Sequence, residues 1–288
     1  MTVWGDIYRH DGEPILAESV VLYADLLGVS QMARSSRAGE YLRIIEGSVR
    51  EVVDEWEDRS EFEYATFSDS LLIAVPVVDD NYEVAIAAVL AAGSTLQAKM
   101  ILKGILMRGG VTIGDFSSQK HLVFGEALVR AAKELEGTIA QYPRIIIDRE
   151  HPYLKDALDQ SGFAKPAAHL VLHDEDGWPF INYFEGGIDF GLMDETATTI
   201  FLKAHHDLLL EQLGKPGLDD RVRIKLEWAA KAEVAAWGRC RAAHLRSVAL
   251  VLAGVVIPGN PHPSGHERWL EIVGPEAVGT LVRPEPPR

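Results

Sequence analysis

An α/β fold of the α+β kind, with helices covering a sheet that contains antiparallel strands, is predicted for this chain. Three observations carry the prediction. Short apolar runs rich in β-branched residues recur at 20–24, 71–75, 107–114 and 145–147. Stretches with apolar residues at helical spacing lie between them. The resulting order, β-α-β-β-α-β followed by α-β, is a ferredoxin-like plan with an addition.

Each element has its own reason. Val20-Val21-Leu22-Tyr23-Ala24 reads as a buried strand and runs into Asp25-Leu26-Leu27-Gly28. Leu42, Ile45, Val49, Val52 and Trp56 recur every three or four residues, which predicts an amphipathic helix over 38–57. Residues 61–67 alternate as a strand does, with Phe62, Tyr64 and Thr66 on one face and Ala65 and Phe67 on the other. Ser68-Asp69-Ser70 can turn the chain into the strand at 71–75, so a β-hairpin with Asp69 at its tip is expected. An Ala-rich helix follows over 81–102, then the glycine-punctuated strand Met107-Arg108-Gly109-Gly110-Val111-Thr112-Ile113-Gly114. Residues 121–124 are short and extended, Gly125 opens a helix over 126–142, and 143–148 close the first half as a strand.

After residue 165 the character changes, which divides the chain into a domain over 1–165 and an extension over 166–288. Residues 168–172 and 180–184 flank the turn Asp174-Glu175-Asp176-Gly177 and read as a hairpin. Helices are expected over 194–213 and 218–246, with Leu226, Val234, Trp237 and Leu245 on one face of the second. From Pro258 the chain is rich in Pro and Gly and is expected to be irregular. No internal repeat or low-complexity segment occurs.

Composition narrows the function classes. With 47% hydrophobic and 25% charged residues the chain is an ordinary globular sequence. Acidic residues outnumber basic ones 43 to 28, and a net charge of −15 repels phosphate backbones, so long nucleic acid is not expected as a partner. The single cysteine, Cys240, excludes a disulfide framework and a cysteine-rich metal site. The first ten residues lack the basic and apolar regions of a signal peptide, and the apolar run at 248–257 is too short to span a bilayer. A cytoplasmic protein without a membrane partner is expected.

Two aspartates stand where chemistry is possible. Asp25 ends a buried strand, and Asp69 tips a hairpin whose strands should lie beside it. Two carboxylates at one sheet edge repel unless a cation lies between them. Oxygen ligands of this kind suit Mg²⁺ or Mn²⁺, which take one or two carboxylates together with substrate phosphates. The same residues also fit a helix cap and a turn. Position alone leaves both roles open.

Tyr23-Ala24-Asp25-Leu26-Leu27-Gly28, then Phe67-Ser68-Asp69-Ser70, then the Arg108-to-Gly114 strand, then Phe124-Gly125 before a helix, follow one another within residues 18–150. This ordered set resembles the class III nucleotidyl cyclase domain. The resemblance implies that Asp25 and Asp69 bind two divalent ions, Mn²⁺ or Mg²⁺, with the Leu26 carbonyl as a further ligand. It implies that the backbone amides of Leu27, Gly28 and Val29 hold the β- and γ-phosphates. It also implies a head-to-tail homodimer in which one chain's helix completes the other chain's metal site.

The departures carry information too. Purine cyclases place base-selecting polar residues four before the hairpin aspartate and three before the helix-opening glycine; Ala65 and Leu122 stand there instead. The asparagine and transition-state arginine of that helix are replaced by Val129 and Lys133. Lysine supplies charge without a bidentate fork; Arg130 is the other cation this helix would offer in trans. Gly125-Glu126-Ala127-Leu128-Val129, Glu134-Leu135-Glu136 and the block from Tyr142 to Asp148 resemble the pyrimidine cyclases of bacterial Pycsar anti-phage systems, which also carry a C-terminal extension. That resemblance implies conversion of UTP, or of CTP, to its 3′,5′-cyclic monophosphate, with cUMP favoured and a separate cyclic-nucleotide-binding effector reading the product. Tyr23, Tyr64 and Thr66 are the expected contacts to the substrate and its base. A non-catalytic nucleotide-binding module of the same fold is the reading from another class. The GGDEF signature of diguanylate cyclases is absent.

Other residues are expected to be structural. Arg108 is as consistent with a strand-start role as with a substrate-facing one. His205-His206 are assigned to a solvated helix face, and Asp174-Glu175-Asp176-Gly177 to a hairpin turn because the downstream glutamate of a calcium loop is missing. Cys240 is assigned to packing, and Trp178, Trp228 and Trp237 to the core or to dimer contacts.

Overall fold

The structure, a computed structural model, describes residues 7–56, 62–67, 69–119, 122–159, 170–184 and 195–239. The chain forms two compact units, Met1–Gly186 and Gly187–Arg288. The boundary expected between 165 and 166 lies outside the described residues, as do Ser68, Cys240 and the tail from Pro258.

In the first unit, β1 (Arg9–His10) and β2 (Glu13–Pro14) form a small hairpin before the central strand, β3 (Ala17–Leu26). Then come α1 (Val29–Arg34), α2 (Ala38–Trp56), β4 (Glu63–Phe67), β5 (Ser70–Pro76) and α3 (Tyr82–Leu102). The chain continues through β6 (Met107–Gln119), β7 (Leu122–Phe124), α4 (Glu126–Val129), β8 (Ile145–Ile147), α5 (Pro152–Asp159), β9 (Val171–His173) and β10 (Pro179–Ile181). The main sheet runs β4-β5-β3-β6-β8-β10-β9, with β7 paired to β6. Among the described strands the β6–β8 pair alone is parallel, and a helical crossover joins it, as a parallel pair requires. The expected βαββαβ order is present.

β3 alternates as a strand packed on both faces does. Val20, Leu22, Ala24 and Leu26 join α2, α3 and Leu154 of α5 in the larger core; Val21 joins Leu72, Ala74, Phe116 and Ala127 in a smaller one on the opposite face. Helix α3 is long and apolar enough to cross a membrane by composition, yet most of it is buried on the sheet. A helix apolar all round belongs in a core. The Asn81 side chain caps it through the Val84 amide at 3.4 Å.

Two local features were not expected. The six-residue helix α1 starts from Gly28, whose φ of 86° is a left-handed conformation open to glycine. The helix expected over 126–142 is α-helical only to Val129 and continues as a π-helix from Arg130 to Ile139. Its wider winding closes with the Ala140 amide on the Leu135 carbonyl at 2.8 Å. Gly110 of β6 makes room for it, since a Cβ there would stand 2.4 Å from Leu135 Cβ; Gly109 makes room for β3, since a Cβ there would stand 2.3 Å from the Tyr23 carbonyl oxygen. Gly125 is equally constrained, with φ 150° and the Asp115 carbonyl 2.1 Å from any added Cβ.

The expected hairpin after residue 165 forms as β9–β10, and β10 pairs with β8 through Phe180 and Ile146, so it extends the sheet of the first unit. Its acidic turn is a turn, as expected. Asp174 and Asp176 both hold the guanidinium of Arg144, which is fully buried beside the Tyr142 and Phe180 rings. Trp178 is buried beneath Arg149, whose guanidinium lies 4.2 Å from the ring.

The second unit shows α6 (Glu195–Leu213) and α7 (Asp220–Arg239). Leu226 is buried as expected; the side chains of Val234 and Trp237, and all of Leu245, lie outside the described residues. The assignment of His205 and His206 to a solvated face is corrected: both are buried, with Nδ1 atoms 3.4 and 3.0 Å from the carboxylate of the buried Glu233. Apolar spacing could not reveal this, because the partner acid lies on the next helix, 27 or 28 positions away. Burial alone would depress the His206 pKa, but the charge and hydrogen bond of Glu233 outweigh it and hold the imidazole above its ordinary value.

Two outcomes follow. Gly110→Ala lowers stability by about 1–3 kcal/mol through overpacking against Leu135, whereas Gly47→Ala in α2, where nothing lies within 4 Å of the added methyl, raises it by about 0.5–1 kcal/mol; urea unfolding of both variants reads the difference. The raised His206 pKa stabilises the fold below the ordinary imidazole value, and that contribution is lost as pH rises through the folded value. The melting temperature should therefore fall as pH is raised from about 6 to 9, and Glu233→Gln should flatten that dependence.

Candidate active site

The site forms at the end of β3 because β3 is paired on both sides. Asp25 stands opposite Ser70 of β5 and opposite Arg108 of β6. Directly paired residues share a face, so Tyr23, Asp25, Ser70, Arg108, Gly110 and Thr112 all lie on the face that carries the π-helix. Tyr23 and Ser70 hydrogen-bond through their hydroxyls at 2.5 Å. Asp69 lies in a turn directly before β5, and its carbonyl accepts the Leu26 amide at 2.8 Å. The backbones of the two aspartates are thereby clipped together at one edge, and both side chains are half-buried.

The donor set fits a hard dication. Asp25, Asp69 and the Leu26 carbonyl offer oxygen only, and Mg²⁺ or Mn²⁺ commonly takes one or two carboxylates and completes its shell with water and phosphate. No group of three or more His, Cys, Asp or Glu side chains suited to a metal occurs among the described residues. Electrostatics favours a cation as well. Arg108 Nε lies 2.7 Å from Glu136 Oε1 and 3.5 Å from Asp25 Oδ2, so one guanidinium faces two carboxylates. The shorter contact is an ion pair without hydrogen-bond alignment.

The other expected site residues divide. The Leu27 amide is committed to the Leu106 carbonyl at 2.8 Å, which withdraws it from the phosphate role; Gly28 is exposed and Val29 half-buried at the start of α1. Tyr64 and Thr66 pair with Ile73 and Leu71, so they lie on the sheet face opposite Asp25 and Tyr23. Both are exposed there. The expectation that they read a base held at the Asp25 face is corrected by this register. Ala65 and Glu63 hold the matching positions on that face. Glu63 accepts a hydrogen bond from Ser118 Oγ at 2.9 Å, and burial raises its pKa.

The two cations of the π-helix differ. Arg130 is held within its own chain: its Nε and Nη2 fork onto Asp148, its Nη1 lies 2.6 Å from Glu134 and its Nη2 lies 3.1 Å from Glu150. Asp148 is fully buried and also accepts from Thr112 Oγ1 and the Glu150 amide. Burial opposes its charge, but these donors together keep its pKa below the ordinary carboxylate value. Lys133 is exposed and forms no ion pair among the described residues. Sequence reasoning missed Glu63, Glu136 and the pairing of Arg108. Glu63 has the same parity as Ala65 and was legible on that ground; the reach of Glu136 depends on the π-helix and carried no signal.

No family model matches the chain, and no curated protein matches it. Among solved structures, the chain is similar to the adenylyl cyclase CyaB from P. aeruginosa at 11% identity and TM-score 0.41, covering 58% of this chain and 95% of that one. Two structures of bacterial light-regulated adenylyl cyclases also match. One has 15% identity and TM-score 0.35, covering 59% of this chain and 54% of that one; the other has 14% and 0.37, covering 66% and 100%.

Arg130→Met leaves the buried Asp148 without its cation and should cost about 3 kcal/mol of folding stability. Because the Asp148 pKa is lowered in the folded state, this contribution is present above the ordinary carboxylate range and lost as pH falls through the folded value. Unfolding curves of the two proteins should therefore converge in acid.

Proposed function

We propose that the chain is a nucleotidyl cyclase that converts a pyrimidine ribonucleoside triphosphate, UTP in the first instance, to its 3′,5′-cyclic monophosphate and pyrophosphate. The observation that carries this reading is the backbone clip between Leu26 and Asp69, which joins two half-buried aspartates at the edge of the sheet. The motifs shared with class III cyclases support it. Ala65 and Leu122, apolar where purine cyclases select their base, support a pyrimidine.

Asp25 and Asp69, with the Leu26 carbonyl, would hold two Mg²⁺ or Mn²⁺ ions, and Tyr23 lies on the same sheet face as Asp25. When bound, such ions lower the pKa of the ribose 3′-hydroxyl and neutralise charge on the triphosphate. The 3′-oxygen attacks the α-phosphorus in line, the new ester bond forms, and the bond to pyrophosphate breaks. Lys133, exposed and outside any ion pair among the described residues, is the cation this chain offers to a second copy of itself. The exposed Leu122, Phe124 and Val129 are the apolar surface that such a homodimer would cover. The resemblance to Pycsar enzymes supports a role in anti-phage signalling in the cytoplasm, with a separate effector reading the product. CTP is the alternative substrate.

The test is incubation with Mn²⁺ and each of the four ribonucleoside triphosphates separately, with products identified by mass spectrometry. Cyclic UMP from UTP alone is expected, and Asp69→Ala should nearly abolish it. A product from CTP alone corrects the base, and turnover of ATP or GTP overturns the pyrimidine reading. Full activity of Asp69→Ala overturns the site, and nucleotide binding without turnover favours the non-catalytic module.

A further inference from the structure

We propose that Arg108 is the resident countercation of Asp25, and that Glu136 is a positioning residue that draws this guanidinium away when a divalent cation occupies the site. The inference rests on the reading of Asp25 as a metal ligand. It assigns roles to two residues, one of them on the π-helix, that this reading leaves without any.

The register sets up the arrangement. Arg108 lies directly across from Asp25 in the β3–β6 pair, so strand geometry keeps the two side chains adjacent on one face. Side-chain exposures of 26%, 21% and 10% for Arg108, Asp25 and Glu136 place all three charges where water screens them incompletely. A half-buried carboxylate with no cation beside it is costly, and a guanidinium satisfies it until a metal arrives. A guanidinium left in place would then oppose the dication. Glu136 supplies the second anchor: it already holds Arg108 Nε at 2.7 Å, against 3.5 Å for Asp25. The planar fork of arginine lets one side chain lean between two carboxylates without leaving either. Glu136 reaches this position because Leu135, its neighbour in the π-helix, is seated on Gly110.

Among the described residues, two neighbouring groups have partners of their own. Tyr23 and Ser70, on the same face, are bonded to each other. Arg130 is forked onto Asp148.

The experiment titrates the full chain with Mn²⁺ alone and follows the free ion by electron paramagnetic resonance, with thermal melts to confirm folding. Four variants are compared: Asp25→Asn, Glu136→Gln, Arg108→Gln and the double variant Arg108→Gln/Glu136→Gln. Removing the Glu136 charge leaves Arg108 to Asp25 alone, so Mn²⁺ affinity should fall roughly tenfold. Arg108→Gln should tighten binding severalfold, which a merely structural loss would not do. The double variant should return to within about threefold of wild type, since one charge of each sign is removed. If Glu136→Gln does not fold, the sign of the Arg108→Gln effect decides. Loss of binding in Asp25→Asn with no change in Glu136→Gln and Arg108→Gln keeps the site and overturns the countercation. Binding that does not depend on Asp25 overturns both.

Discussion

Gly109 and Gly110 follow one another in β6 with nowhere to put a side chain: a Cβ on the first would meet the backbone of β3, and on the second the body of the π-helix. This double close approach governs the surroundings. On one side it seats β6 against the strand that ends in Asp25, and on the other it seats the helix carrying Glu136. A side chain at either position would separate the layers by part of an ångström or more. The ion contacts of Arg108, at 2.7 and 3.5 Å, tolerate little of that. The glycine-punctuated block is accordingly a packing device first. Any chemistry at the edge of the sheet depends on it for position.

The distribution of charge follows a common pattern. Arg108 meets Asp25 and Glu136, Arg130 meets Asp148, Glu134 and Glu150, and Arg144 meets Asp174 and Asp176. In a chain with a net charge of −15, each of these arginines is shared among carboxylates. Buried ion pairs of this sort contribute little net stability compared with well-packed apolar residues, but breaking one is costly because a charge is left in a poor solvent. Their effect is to fix arrangement: Arg130 ties the π-helix to Asp148 at the end of β8, and Arg144 ties the β9–β10 turn to the main sheet. Arg108 stands between two such ties, nearer to Glu136 at 2.7 Å than to Asp25 at 3.5 Å, and Asp25 is the carboxylate on which the proposed chemistry rests.

Much of the fold was legible because its elements obey simple periods. The strand expected at 20–24 and found at Ala17–Leu26, the helix at Ala38–Trp56, the hairpin tipped by Asp69 and the buried helix at Tyr82–Leu102 lie where apolar runs, alternation or helical spacing put them. What was not legible is equally instructive. The π-helix leaves no mark on a 3.6-residue pattern, so nothing in the spacing pointed Glu136 towards Arg108. The burial of His205 and His206 rests on Glu233 of another helix, a pairing that no local pattern encodes. Tyr64 and Thr66 were assigned by residue type rather than by parity, and parity turns them away from Asp25. Strand registers decide such questions, because a shift of one position exchanges the faces.

The two cations of the π-helix show how far local context separates similar residues. Arg130 and Lys133 are three positions apart, and both were eligible to meet a triphosphate from a second chain. Arg130 is the stronger phosphate ligand by chemistry, with a fork matched to paired oxygens. Its fork is already taken by the buried Asp148, and releasing it would strand that carboxylate among Thr112 and the Glu150 amide. Lys133 has no such obligation and stands in solvent. A point charge on a flexible stem neutralises developing negative charge without dictating the geometry of its ligand. If the chain turns over a triphosphate, orientation must therefore come from the metal-binding edge, and the lysine would supply charge alone.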